Sequence, residues 1–239
     1  MKYLSVIIPA YNEGQRIRNV LLEIKEYLRA QDFDFEVLII DDGSTDNSQE
    51  TIKTIIKNWP KFLLFSYSPN QGKGAAVKYG VNKALGQYIL FMDADASTPI
   101  SQFENLQSYL KNYPVVIGSR YLKKGYIKVR QPFWRLILAR AANFLIRLML
   151  KLPYKDTQCG FKIFEAETAR KIFHKVTLSR FGFDFEILKI AQVNQIPVKE
   201  VPVIWKNEKR SKVKLNDFFV TLKELKEVWS NARKGKYQM

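Results

Sequence analysis

Asp93-Ala94-Asp95 places two carboxylates one residue apart, directly after the apolar run Tyr88–Met92. Carboxylate oxygens at so tight a strand end suit Mg2+ or Mn2+. A cation held there and bridging a diphosphate would neutralise the charge that builds on a departing nucleotide. Asp-x-Asp is a common chance pattern, so its weight comes from its company. Pro9-Ala10-Tyr11-Asn12-Glu13 and Asp41-Asp42-Gly43-Ser44 close two earlier apolar runs in the same manner. Any one of these loops reads as ordinary turn and helix-start chemistry. Three of them together read as an acidic crevice.

The elements that must position these residues repeat along the first hundred positions. Tyr3–Pro9, Phe35–Ile40, Phe62–Tyr67 and Tyr88–Met92 are near-continuously apolar, as strands buried on both faces should be. Helical patterns cover roughly 15–30, 46–58, 72–85 and 99–112, and a fifth short apolar run spans Val115–Gly118. Alternating β and α predicts a mostly parallel sheet with helices on both faces, whose ligands lie beyond the carboxyl ends of the strands. At 239 residues the chain has room for one large α/β domain, read as two continuous halves, 1–120 and 121–239.

Charge separates the two halves. Residues 1–100 carry 11 Lys/Arg and 12 Asp/Glu, whereas residues 101–239 carry 28 and 11, a net +17. The second part is therefore expected to meet a polyanion, either a nucleic acid or an anionic bilayer. One cysteine, Cys159, and one histidine, His174, form neither an internal disulfide nor a zinc site. His174 reads as a surface residue, and the cysteine usage fits a reducing, cytoplasmic setting. Gly72-Lys73-Gly74 lacks both the dinucleotide fingerprint and the phosphate-loop spacing.

The order Pro-Ala-Tyr-Asn-Glu, Asp-Asp-Gly-Ser-Thr-Asp, Asp-Ala-Asp resembles glycosyltransferase family 2. The resemblance implies a GT-A type nucleotide-sugar-binding fold, in which 1–120 would be the nucleotide-sugar-binding half and 121–239 the acceptor-binding half. Pro9, Ala10, Tyr11 and Glu13 would then line the base and ribose, Asp42 would bind the base, and Lys73 would sit near the nucleotide. Ala94 would pass beside the ribose, with Asp95 the principal metal ligand and Asp93 supporting it. Gly118-Ser119-Arg120, Asp156-Thr157-Gln158-Cys159-Gly160-Phe161-Lys162, Phe181–Glu186 and Ser211-Lys212 are similar, in that order, to the polyprenyl-phosphate branch of dolichyl-phosphate mannose and glucose synthases. The Asp-Thr-Gln-Cys string stands closest to the dolichyl-phosphate β-glucosyltransferases. Ala139 stands where mannosyl relatives often have serine, and Ala96-Ser97 where they commonly have Leu-Gln. UDP-glucose is thus the implied donor, with GDP-mannose second.

A phosphate acceptor needs no general base, because its second pKa of about 6 leaves it mostly dianionic at neutral pH. It needs positive charge, which arginine supplies through bidentate hydrogen bonds. Arg120 and Arg135 are the first choices. Arg135 lies roughly 120–140° around the helical wheel from Arg140 and Arg147, taking about 100° per residue. The resembling synthases place an acceptor-binding arginine eleven to fifteen residues past Gly-Ser-Arg, which fits Arg135, and Arg130, one residue short of that window, is the close competitor. Arg210 and Lys212 are expected to close over the same site. Asp156 is a candidate to act as a base or to orient the acceptor, and Asp184 a weaker one.

Residues 133–151 read as an amphipathic helix, with Arg140, Asn143, Arg147 and Lys151 in one stripe and a remainder rich in Phe, Trp and Leu. That is the profile of an interfacial helix on an anionic membrane, the rival being a core helix with solvated arginines. Residues 217–229 predict a second such helix, with Phe218, Leu222, Leu225 and Trp229 on one face. Neither a signal peptide nor an apolar run long enough to span a bilayer is expected, so the enzyme is read as peripheral on a cytoplasmic membrane face. A family-2 enzyme acting on a hydroxyl acceptor is the alternative. A non-enzymatic nucleic-acid-binding protein is the distant one, and it leaves the acidic strand ends without a purpose.

Overall fold

The computed structural model describes residues 2–123, 133–206 and 215–239, with no side chains described for 133–136 and 215–219. The apolar runs form strands as their composition dictates: β1 (Leu4–Ala10), β2 (Phe35–Asp42), β3 (Phe62–Tyr67), β4 (Tyr88–Met92) and β5 (Val115–Ser119). Between them lie α1 (Ile17–Arg29), α2 (Ser48–Ile56), α3 (Lys73–Lys83) and the short α4 (Phe103–Gln107). In α1 the buried residues Ile17, Val20, Leu21, Ile24 and Leu28 recur at helical spacing, and this stripe fixes which face meets the sheet. The helix expected over 99–112 is instead a 3-10 turn, Ile100–Gln102, followed by α4 and further turns. Its apolar positions Ile100, Phe103, Leu106 and Leu110 are buried as expected. Pro114 disfavours helix just before β5, and Asn112 favours a turn there.

Two strands have no counterpart in the sequence reading. β6 (Phe161–Glu165) lies antiparallel between β4 and β5, and β7 (Val198–Pro202) is an outer strand parallel to β5. The sheet order is β3-β2-β1-β4-β6-β5-β7, so strands from the second half of the chain complete the sheet. α5 (Phe133–Leu150), α6 (Ala166–Lys175), α7 (Phe183–Val193) and α8 (Leu215–Arg233) join α3 on one face, while α1, α2 and α4 cover the other. No helix among the described residues is long and apolar enough to cross a membrane.

The two late helices pack differently from their predicted wheels. Asn143 of α5 turns inward: its amide donates to Lys155 O at 2.7 Å and accepts from Thr157 N and Oγ1 at 3.1 and 2.8 Å. The outward face is the apolar one, with Ile137, Phe144 and Leu148 exposed, the last two at 62% and 63%. In α8 the buried line is Glu224, Leu225, Val228 and Asn231, and Trp229 faces out beneath Arg233. The side chain of Phe218 lies outside the described residues. The chain then returns to the body through Tyr237, fully buried, whose hydroxyl donates to Glu186 at 2.8 Å.

Candidate active site

The carboxyl ends of β1, β2 and β4 lie side by side, since β1 pairs in parallel with both neighbours and Ala10 sits opposite Asp41. Asn12 fastens the first loop to the second: its backbone N–H donates to Ser44 Oγ at 2.9 Å and its Oδ1 accepts Thr45 N at 2.8 Å. A left-handed φ of 54° at Asn12 makes that turn, a conformation asparagine tolerates better than most residues. Glu13 accepts Arg16 Nε at 2.6 Å, and Ala10, the last residue of β1, is buried. Asp42 spends both carboxylate oxygens on loop 70–72, accepting Asn70 Nδ2 at 2.8 Å, Gln71 N at 2.7 Å and Gly72 N at 2.8 Å. Asp42 thereby sets the path of the chain into α3. Gly72 is required there, because its φ is +107° and a Cβ would meet Ser179 O at 2.5 Å.

That path delivers Lys73 to the Asp-x-Asp turn. Lys73 Nζ lies 2.7 Å from Asp93 Oδ1 and 3.5 Å from Asp184 Oδ2. Burial alone would depress the Lys73 ammonium, but Asp93 and Asp184 outweigh it and hold its pKa above the ordinary lysine value. Asp95 Oδ1 accepts Ser97 N at 2.9 Å, and Ala94 between the two carboxylates is buried. Among the described residues no three His, Cys, Asp or Glu side chains gather closely enough to enclose a metal ion. A cation here would share its shell between one or two carboxylates and ligand oxygens, which is how Mg2+ and Mn2+ are commonly bound with nucleotides. The donor set fits such an ion.

The second half supplies an arginine held by a buried acid. Arg120, at the end of β5, donates from its backbone N, Nε and Nη2 to Asp156 at 3.0, 2.7 and 2.8 Å. Asp156 is fully buried, yet burial, which pushes its carboxyl up, is outweighed by the Arg120 guanidinium and its hydrogen bonds, so its pKa is lowered. A carboxylate held this way is a poor base and a good orienting group. Glu200 fixes it in turn, accepting Lys155 N and Asp156 N at 2.9 and 2.8 Å.

A short segment stitches this pair to the Asp-x-Asp turn. The Arg120 guanidinium lies 5.7 Å from the Trp205 ring, and the next residue, Lys206, donates its backbone N–H to Ser97 O at 2.8 Å, two residues from Asp95. On the other side, Asp93 N donates to Gly160 O at 3.2 Å, four residues past Asp156. Donor-side carboxylates and Arg120 therefore share one end of the sheet. Arg130, Arg210 and Lys212 lie outside the described residues, as does the side chain of Arg135, whose backbone lies in the first turn of α5. His174 is exposed. Sequence reasoning missed Lys162 and Trp205. The signal available was a lone charge inside the apolar run Phe161–Phe164.

The fold and this arrangement of strand-end acids are those of a glycosyltransferase. The chain belongs to glycosyl transferase family 2, whose pattern matches residues 5–173. It is 37% identical over 225 residues to a dolichyl-phosphate β-glucosyltransferase of Trichomonas vaginalis, covering 90% of this chain and 67% of that protein. It is 37% identical to the dolichyl-phosphate β-glucosyltransferase of Dictyostelium discoideum, covering 85% and 66%, and 33% identical to that of Homo sapiens, covering 89% and 70%. The chain thus spans about two thirds of the length of these relatives. Among solved structures, mannosyl-3-phosphoglycerate synthase from Rubrobacter xylanophilus superposes with a TM-score of 0.72 at 14% identity, covering 100% of this chain and 76% of that one. Glucosyl-3-phosphoglycerate synthase from Mycobacterium tuberculosis, in complex with Mn2+, UDP-glucose and phosphoglyceric acid, gives 0.68 at 16%, covering 96% and 80%. Both share the GT-A type fold.

Proposed function

We propose that this enzyme transfers one glucose from a nucleotide-sugar, UDP-glucose in preference to GDP-mannose, to a polyprenyl phosphate of the dolichyl type, with inversion at the anomeric carbon. The names of the relatives supply the substrate class. The observation that supports the reading is the Trp205–Lys206 stitch, with Trp205 near Arg120 and Lys206 bonded to the turn after Asp95, at the end of the sheet where two phosphorylated molecules would meet despite their mutual repulsion.

Pro9, Ala10, Tyr11 and Glu13, with the loop held by Asp42, take the nucleoside, and Ala94 passes beside the ribose. Lys73 faces the diphosphate. Asp95 is the principal ligand for Mg2+ or Mn2+, and Asp93 supports it. When bound there, such an ion would neutralise charge on the leaving diphosphate. Arg120 and Arg135, with Arg130, Arg210 and Lys212, hold the acceptor phosphate. Asp156 orients Arg120. A phosphate oxygen attacks the anomeric carbon opposite the nucleotide, the carbon–oxygen bond to the diphosphate breaks, and its electron pair leaves on the nucleoside diphosphate. An α-linked donor gives a β-linked product, and no proton need be removed from a dianionic nucleophile.

The acceptor is a lipid, and the outward apolar stripe of α5, flanked by Arg140 and Lys151, suits an anionic membrane surface. The protein docks there peripherally, on the cytoplasmic face. Labelled UDP-glucose or GDP-mannose is incubated with Mg2+ or Mn2+ and either a short polyprenyl phosphate or the unphosphorylated prenol, then extracted into organic solvent. Label should follow UDP-glucose and the phosphorylated lipid only. Equal transfer to the free prenol would support the hydroxyl-acceptor alternative and overturn the proposal.

A further inference from the structure

Lys162 is wholly buried in the middle of the sheet, and no step of the proposed transfer uses it. Its ammonium donates to the Asp184 carboxylate and, at 2.6 Å, to the Cys159 carbonyl, and it lies 5.4 Å from the Phe91 ring. Asp184, in the first turn of α7, is shared: its other oxygen lies 3.5 Å from Lys73 Nζ, and Lys73 reaches Asp93 at 2.7 Å. The four side chains form an alternating row, Asp93, Lys73, Asp184, Lys162, drawn from the end of β4 and from α3, α7 and β6. The row is neutral as a whole. Gly160 packs against the Asp93 end of the row, where a Cβ would run into the carboxylate.

A lysine without an acid could not stay charged at this depth, and Asp184 without Lys162 would leave a buried negative charge with Lys73 as its main partner. Lys73 would then shift from Asp93 towards Asp184. We propose that Lys162 is a positioning residue for nucleotide binding: by satisfying Asp184 from behind, it leaves Lys73 to Asp93 and to the diphosphate. Lys162 touches no substrate in this scheme and acts through two intervening side chains. The inference rests on the donor reading of the Asp-x-Asp turn.

The test is the affinity for UDP with Mg2+, measured by titration calorimetry on the whole chain, beside the melting temperature of each variant. Lys162→Met keeps the length of the side chain and makes the row one charge more negative. It should weaken UDP binding about tenfold, the scale of one uncompensated charge near a diphosphate at an effective dielectric of about 20. Asp184→Asn frees Lys73 for Asp93 and should bind UDP no more weakly than the unchanged protein. The double variant, which removes both charges, should bind within about threefold of it. A purely structural role predicts equal harm from either loss, because each removes the same buried Lys162–Asp184 ion pair. Undiminished binding by Lys162→Met, or weakened binding by Asp184→Asn, overturns the proposal. If Lys162→Met does not fold, Asp184→Asn and the double variant decide it alone. If the unchanged protein binds neither UDP nor GDP with Mg2+, the donor reading has failed instead.

Discussion

Replacing Asp156 by asparagine removes one charge and almost no volume, so it isolates what that buried carboxylate does. Asp156 accepts three hydrogen bonds from Arg120, two of them from the guanidinium, and a fourth from Gln158 N at 3.3 Å. Removing one partner of a fully buried ion pair costs about 3–5 kcal/mol. Arg120 is 21% exposed in its side chain, so water recovers part of its solvation and the cost falls to roughly 2–4 kcal/mol. For a domain of this size about 2–4 °C of melting temperature is lost per kcal/mol, so the midpoint should drop by roughly 5–15 °C at pH 7. The pH dependence should change with it. The folded carboxyl titrates below its unfolded value of about 3.9, so its contribution is complete above that pH and disappears as the pH falls through the lower folded value. The Asp156→Asn variant carries no such charge, and the melting curves of the two proteins should converge in acid. At the site, Arg120 loses the partner that aims it. The KM for polyprenyl phosphate should rise at least about tenfold while UDP affinity stays within about twofold, since one lost charge-assisted contact is worth about 1.5–3 kcal/mol. The assays are calorimetric melting from about pH 3 to 7, a range that brackets the unfolded carboxyl value, and initial rates with each substrate varied. An equal loss of donor and acceptor affinity, or a stability difference that does not shrink towards the acid end, would refute the reasoning.

Three further outcomes are expected. Gly160→Ala should abolish transfer by more than about a hundredfold, because its Cβ would displace the Asp93 carboxylate; a Mn2+ titration of UDP binding should show the affinity lost in parallel. Phe144→Ser with Leu148→Ser should reduce flotation with anionic vesicles by about tenfold or more, each side chain carrying roughly 1.5–3 kcal/mol of apolar burial, and should leave the melting temperature within about 2 °C. Tyr237→Ala should cost about 3–5 kcal/mol by chemical denaturation, since it empties a fully buried aromatic site, whereas Tyr237→Phe should cost about 1–2 kcal/mol for the bond donated to Glu186 and the longer one accepted from Asn231.

Local pattern was enough to define the first four strands, the helices between the first of them and the place of the acidic loops at strand ends. It could do so because parallel strands buried on both faces are continuously apolar, and because Asp-x-Asp follows one of them directly. Arg120 and Asp156 were legible as candidates one at a time. Folding made them a pair, across 36 residues, with Asp156 turned from a possible base into the anchor of an arginine. β6 escaped notice for a related reason. Its lysine interrupts the apolar run, and the buried partner that lets it lie inside the sheet, Asp184, arrives on α7 22 residues further on. The face of α5 was also decided by long-range contact, since Asn143 belonged to a polar stripe on the wheel and became the inward clasp on Thr157. Apolar periodicity is a local quantity and survives in the sequence. Which buried charge meets which partner depends on distances that exist only once the sheet has closed.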